Sequence, residues 1–156
     1  MEIWKQVGLV LLLAMAPVSE LRGAIPAGAA MGLDMKYVFL LSVIGNILPV
    51  PILILFVRKI LAWMKQCGGR LARIVEWIEK RAEKGKQLFY RYELLGLYIL
   101  VAIPLPGTGA WTGSLVAAML RLRLRTAVPV IACGVATAGV IILALTHGTG
   151  VLLDLL

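Results

Sequence analysis

Acidic residues, histidine and cysteine are all scarce in this chain of 156 residues, which holds eight Asp/Glu, one His and two Cys. Cys67 and Cys133 stand far apart with no CxxC spacing and no Cys/His cluster, which excludes a zinc site and a disulfide scaffold. A Walker motif, a GxGxxG loop and a nucleophile–base set are also missing, so the chain is expected to be no enzyme, to drive no step with ATP and to need no cofactor. Charge is rare as well: Asp, Glu, Lys and Arg together make 15% of the residues, against about 25% in an ordinary soluble domain. What fills the chain instead is apolar, at 61% of residues and a mean hydropathy of +0.94. A soluble globule of this size would leave long greasy runs facing water. The sequence therefore predicts an all-α integral membrane protein.

The few charges are segregated. Ten of the sixteen basic residues lie between Arg58 and Arg91, and Arg121, Arg123 and Arg125 form a second group. Basic clusters beside apolar segments mark the cytoplasmic side of a multi-pass protein in a cell inner (plasma) membrane. The net charge of +8 is thus read as orientation and contact with anionic membrane lipid, not as nucleic-acid binding. The start Met1–Lys5 lacks a strongly basic region and no cleavage site follows Leu13, so a signal peptide is not expected.

Four stretches are free of charge or nearly so. Residues 37–57 and 126–146 are each long enough for one membrane helix of about 20 residues. The stretch 94–120 carries Pro104, Pro106, Gly107 and Gly109 at its centre, which should split it into two arms of about half a membrane thickness each. A broken helix that crosses would set Arg121, Arg123 and Arg125 opposite the main basic cluster, so charge favours a re-entrant hairpin. The stretch 6–33 repeats the plan, with a bend expected over Glu20–Pro26 and a second arm over Ala27–Leu33. Gly28–Gly32 and Gly109–Gly113 both read GAxxG, and each precedes a spanning helix.

The expected organisation is therefore an inverted repeat. The first repeat is 1–57 (hairpin 6–33, helix 37–57) and the second is 94–156 (hairpin 94–120, helix 126–146). Between them lies a basic, amphipathic, cytoplasmic connector, 58–93. Its apolar face is formed by Leu61, Met64, Leu71, Ile74, Val75 and Ile78, with breaks expected at Gly68–Gly69 or Gly85. Inverted repeats whose broken helices meet near the bilayer midplane are the architecture of secondary transporters.

Glu20 and Arg22 fall at the first hairpin tip, where an ionisable residue is a functional candidate by default. Glu20 is a candidate proton-exchanging group, the alternative being a structural ion pair with Arg22. The second tip offers Thr108, Thr112, Ser114 and the amides around Gly107 and Gly109, at a helix start suited to an anionic group. Gly28, Gly32 and Gly113, with Pro26, Pro104 and Pro106, are read as hairpin-packing residues. Asn46 and Thr137 lie mid-helix and either line a polar cavity or bond between helices. Trp111 is read as stacking on a substrate or filling space, and Arg121, Arg123 and Arg125 as orienting charges or a lipid head-group site. Asp34 and Lys36 are read as a surface pair, and His147 as solvated.

The segments Glu20–Gly28 and Pro104–Gly113 resemble the small multi-drug export protein family, and the resemblance covers nearly the whole chain. That family is similar in plan to the DedA-like (VTT) superfamily of opposed re-entrant hairpins. The resemblance implies proton-linked transport of small amphiphiles or, alternatively, flipping or scrambling of a phosphorylated lipid such as a polyprenyl phosphate. It also implies an acid near the first hairpin, matched by Glu20 or Asp34, and arginines after the second, matched by Arg121 or Arg125. A non-transporting membrane scaffold is the remaining reading. A homodimer or larger homo-oligomer is expected, to bury the polar tips.

Overall fold

The computed structural model describes residues 3–85, 90–105 and 107–154, without the side chains of 71, 79, 81–85, 90, 91 and 147–154. Pro106 and the side chains of Leu71 and His147 therefore lie outside the described residues. Every element among the described residues is a helix: α1 (Ile3–Met15), α2 (Glu20–Ala30), α3 (Met35–Ile47), α4 (Val50–Gln66), α5 (Gly69–Gly85), α6 (Tyr90–Ala102), α7 (Ala110–Met119) and α8 (Leu124–Asp154).

Two segments are long and apolar enough to cross a membrane, Met35–Gln66 and Leu124–Thr146. At 1.5 Å per residue they reach about 48 and 35 Å, against a hydrocarbon core of about 30 Å. The first is longer than the expected 37–57 because α4 continues through Arg58 to Gln66. Its helix is interrupted only at Leu48–Pro49, where Pro49 and Pro51 have no N–H to give the preceding turn. Pro129 sits inside α8 without ending it. Asp34 is not a surface ion-pair partner: its carboxylate caps α3 by accepting from the Lys36 backbone N–H at 2.9 Å.

The remaining apolar helices are short and come in pairs. α1 ends where Pro17 withholds a donor and the Ser19 hydroxyl donates to the Leu13 carbonyl at 2.6 Å. The bend is thus Ala16–Ser19, not Glu20–Pro26, and the second arm already starts at Glu20 with Pro26 exposed inside it. Close contacts give the directions. Gly45 of α3 lies against Leu11 and Ala14 near the end of α1, whereas Gly28 near the end of α2 lies against Val38 near the start of α3. The two arms therefore run antiparallel along α3. In the second half, Gly113 of α7 packs on Leu97 and Val101 of α6 and on Ile131 of α8, and Gly134 of α8 also meets Val101.

The halves interlock. α1 packs on α2 and α3, and α6 on α7 and α8, while α2 lies on α8 and α7 lies on α4. Val10, Ile25, Val38, Ile54, Leu97 and Ile131 are fully buried in the resulting core. Glycine allows the closest crossings: a methyl added at Gly28 would sit 2.5 Å from Val38 Cγ1, and one at Gly139 would sit 2.8 Å from the Phe39 ring. The GAxxG match does not mark equivalent places, because Gly28 is late in α2 while Gly109 precedes α7. In the connector, α4 and α5 part at Gly68, where Gly68 and Gly69 have φ of 70° and 64°. Val75 is buried, but Ile74 is half exposed, so the expected apolar face is covered only in part.

Candidate functional site

The two bends meet. The first, Ala16–Ser19, delivers Glu20 and Arg22 on the opening turn of α2; the second, residues 103–109, leads into α7. Each bend is held by its own polar groups. Thr108 Oγ1 accepts from the Leu105 N–H at 3.2 Å and lies 2.8 Å from the carbonyls of Ile103 and Leu105. The Thr112 hydroxyl donates to the Gly107 carbonyl at 2.8 Å. Gly107 and Gly109 take φ of 84° and 135°, backbone that a side chain would strain.

Across the junction, Arg22 Nη2 donates to the Thr108 carbonyl at 2.7 Å and reaches its Oγ1 at 3.0 Å. In return, the Trp111 N–H donates to Glu20 Oε1 at 3.3 Å, so a carboxylate from α2 caps the start of α7. Gly109 makes this possible: a Cβ there would fall inside the Glu20 carboxylate, 2.7 Å from Cδ. The indole of Trp111 donates to the Met15 carbonyl at 3.2 Å and ties α7 to the end of α1. Glu20 is only 6% exposed and has φ of 44°, a left-handed conformation for a residue with a side chain. Strain of that kind persists where surrounding contacts over-determine it.

Glu20 and Arg22 divide two spaces. On one flank, with Pro17, Val18, Gly107, Thr108 and Thr112, they line a pocket of about 430 Å³. On the other, with Asn46, Val101, Pro104, Gly109 and residues of α8, they line a cavity of about 10 Å³. Asn46 and Ser42 are buried without a hydrogen-bond partner.

Of the residues singled out in the sequence, Glu20, Arg22, Asn46, Pro104, Thr108, Gly109 and Thr112 thus come together around the junction. The α7 start that looked suited to an external anion is taken by Glu20. Gly28 and Gly113 serve helix crossings, and Gly32, with φ of 72°, turns the chain between α2 and α3. Thr137 pairs with the Tyr98 hydroxyl at 2.9 Å, and Ser114 donates to the Ala110 carbonyl. Arg121 lies elsewhere, lining a pocket of about 300 Å³ with Arg58, Leu61, Ala62 and Ala118. Arg123 and Arg125 are exposed around the start of α8. Sequence reasoning missed Ser42 and Arg58. Ser42 had a signal, its spacing of four from Asn46 in an uncharged span; Arg58, which donates to the Leu122 carbonyl, looked like one more charge in the basic run.

Residues 20–141 match the sequence model of the family described as "Putative small multi-drug export protein". The chain belongs to this family. The match begins at Glu20, just after the first bend, and takes in the second bend, the first long apolar segment and most of the second. With those segments it marks the chain as a membrane protein of an export family. No curated protein and no solved structure matches the chain.

Proposed function

We propose that the protein is a proton-coupled exporter of small amphiphilic molecules, with its site at the junction of the two bends. The observation that carries this reading is the reciprocal clasp of Glu20 on α7 and Arg22 on Thr108. Depth supports it. Asn46 shares a cavity with Glu20 and stands eleven residues beyond Met35, about 17 Å along the helix and close to the middle of a ~30 Å core. In this reading α1–α2 and α6–α7 are re-entrant hairpins, and the halves are inverted repeats that exchange second arms, α2 onto α8 and α7 onto α4. In this reading the connector faces the cytoplasm from an inner membrane, which the basic run supports. Irregular backbone at that depth requires cover by protein or water, and two or more copies supply it.

The mechanism follows from the clasp. An ionised Glu20 holds the Trp111 N–H and the positive end of α7; proton uptake removes that attraction. The grip between the halves then rests on Arg22, and the pocket beside it opens and releases the polar end of an amphiphile. Proton loss on the other side restores the cap around the next molecule, so each one leaves in exchange for an entering proton. The test is efflux of the cationic dye ethidium from proteoliposomes under a proton gradient. E20Q keeps the shape but not the proton, so it folds, inserts and shows no gradient-driven efflux. Native-like efflux by E20Q overturns the proposal.

One observation favours the second reading, a flippase or scramblase of a phosphorylated lipid. Arg58 and Arg121 face a pocket with otherwise apolar walls, and Arg58 Nε is buried there without a partner. Movement of labelled polyprenyl phosphate between leaflets, abolished by R121E, would select this reading over the first.

A further inference from the structure

Ser42 and Asn46 lie one helical turn apart on α3 and so share a face. They are 0% and 1% exposed, and the Ser42 hydroxyl and both Asn46 amide atoms lack a hydrogen-bond partner. A buried polar group left in that state costs about 1–3 kcal/mol, so native structures pair such groups with protein or with ordered water. Asn46 borders the cavity that Glu20 and Arg22 also border, and its volume of about 10 Å³ is the space of one water. A larger ligand does not fit, and the Arg22 guanidinium on the same wall disfavours a metal cation. Three side chains able to bond it meet the requirement for a buried water.

We infer that one ordered water occupies this cavity and joins Asn46 to the Glu20–Arg22 pair, giving Glu20 a proton donor and acceptor on the α3 side of the junction. The inference rests on the proposal that Glu20 exchanges a proton. It gives that carboxylate a second approach, on the flank away from the 430 Å³ pocket, so proton and amphiphile need not share one path. The two spaces have only Glu20 and Arg22 in common, and these are the only ionisable side chains lining either of them among the described residues. Asn46 acts here as a positioning residue: its amide orients the water, and the water carries the proton.

Two measurements on the full chain in lipid nanodiscs test this. In radiolytic hydroxyl labelling with ¹⁸O-water, Val101 and Val135, which border the cavity and are 1% exposed, are modified several-fold faster than Val10 and Ile54, which are 0% exposed and do not border it. Equal, slow labelling of all four means a dry cavity and overturns the inference. In time-resolved infrared spectra after a pH jump, the carboxylic band of Glu20 is identified by its loss in E20Q. N46L slows the appearance of that band roughly tenfold, equivalent to about 1.4 kcal/mol on the barrier, and N46Q restores it. An unchanged rate in an N46L protein that melts like the native one overturns the route; where N46L does not fold, the smaller N46V takes its place with the same expectation. A Glu20 band that never appears overturns proton exchange itself, and the labelling result separates that failure from a dry cavity.

Discussion

Replacing Gly109 by alanine tests the clasp without touching either charged residue. The new Cβ would fall within the Glu20 carboxylate, and φ of 135° with ψ of −164° is a region essentially reserved for glycine. The backbone contributes about 1–3 kcal/mol of strain. Displacing the carboxylate from the Trp111 N–H forfeits a further ~1.5–3 kcal/mol, the usual worth of a hydrogen bond to a charged group. G109A should therefore destabilise the protein by about 3–5 kcal/mol. Gly107 is the control. It has φ of 84° but no atom within 4 Å of an added Cβ, so G107A should cost only the left-handed strain of about 1–2 kcal/mol. Equilibrium unfolding in detergent, followed by circular dichroism, reads both. A cycle with E20A isolates the collision: in the E20A background, G109A should lose only its strain component, a coupling of about 2 kcal/mol. If G109A costs no more than G107A, or if E20A leaves its cost unchanged, Glu20 does not occupy the start of α7.

Two further substitutions probe the packing around that contact. R22A removes both bonds to Thr108 and should cost about 1.5–3 kcal/mol, while R22K, which keeps the charge, should recover part of it; thermal melts of the two compare them. G28A drives a methyl against Val38 and should cost about 1–3 kcal/mol, an effect that V38A in the same chain should relieve.

Much of the architecture can be read from composition alone, because long uncharged runs leave few alternatives to membrane helices. The break at Pro104–Gly109 was legible for the same reason: prolines and glycines concentrated in an apolar stretch cannot continue a helix. The first bend was expected over Glu20–Pro26 and lies earlier, at Ala16–Ser19. Pro26 removes a single bond at an exposed position and α2 carries on, whereas at Ala16–Ser19 the side chain of Ser19 satisfies an orphan carbonyl and ends α1. Glu20 and Arg22 stood out as charges in an apolar region, and Thr108 and Trp111 were also singled out, but the bonds that pair them were not legible. Thr108 and Trp111 lie more than eighty residues away, and only the interlock of the halves brings them near. Arg58 was hidden by its basic neighbours, since sequence alone does not tell a capping arginine from an orienting one.

The central proposal is that both bends lie at the middle of the bilayer, and label depth measures this most directly. Val18 and Leu105 are 90% and 55% exposed, so a spin label at either displaces little packing. Power saturation in bilayers should place both labels near the centre, level with a label at Ile44 and deeper than labels at Tyr37 and Trp63. A label at Val18 or Leu105 found at head-group depth would contradict the account.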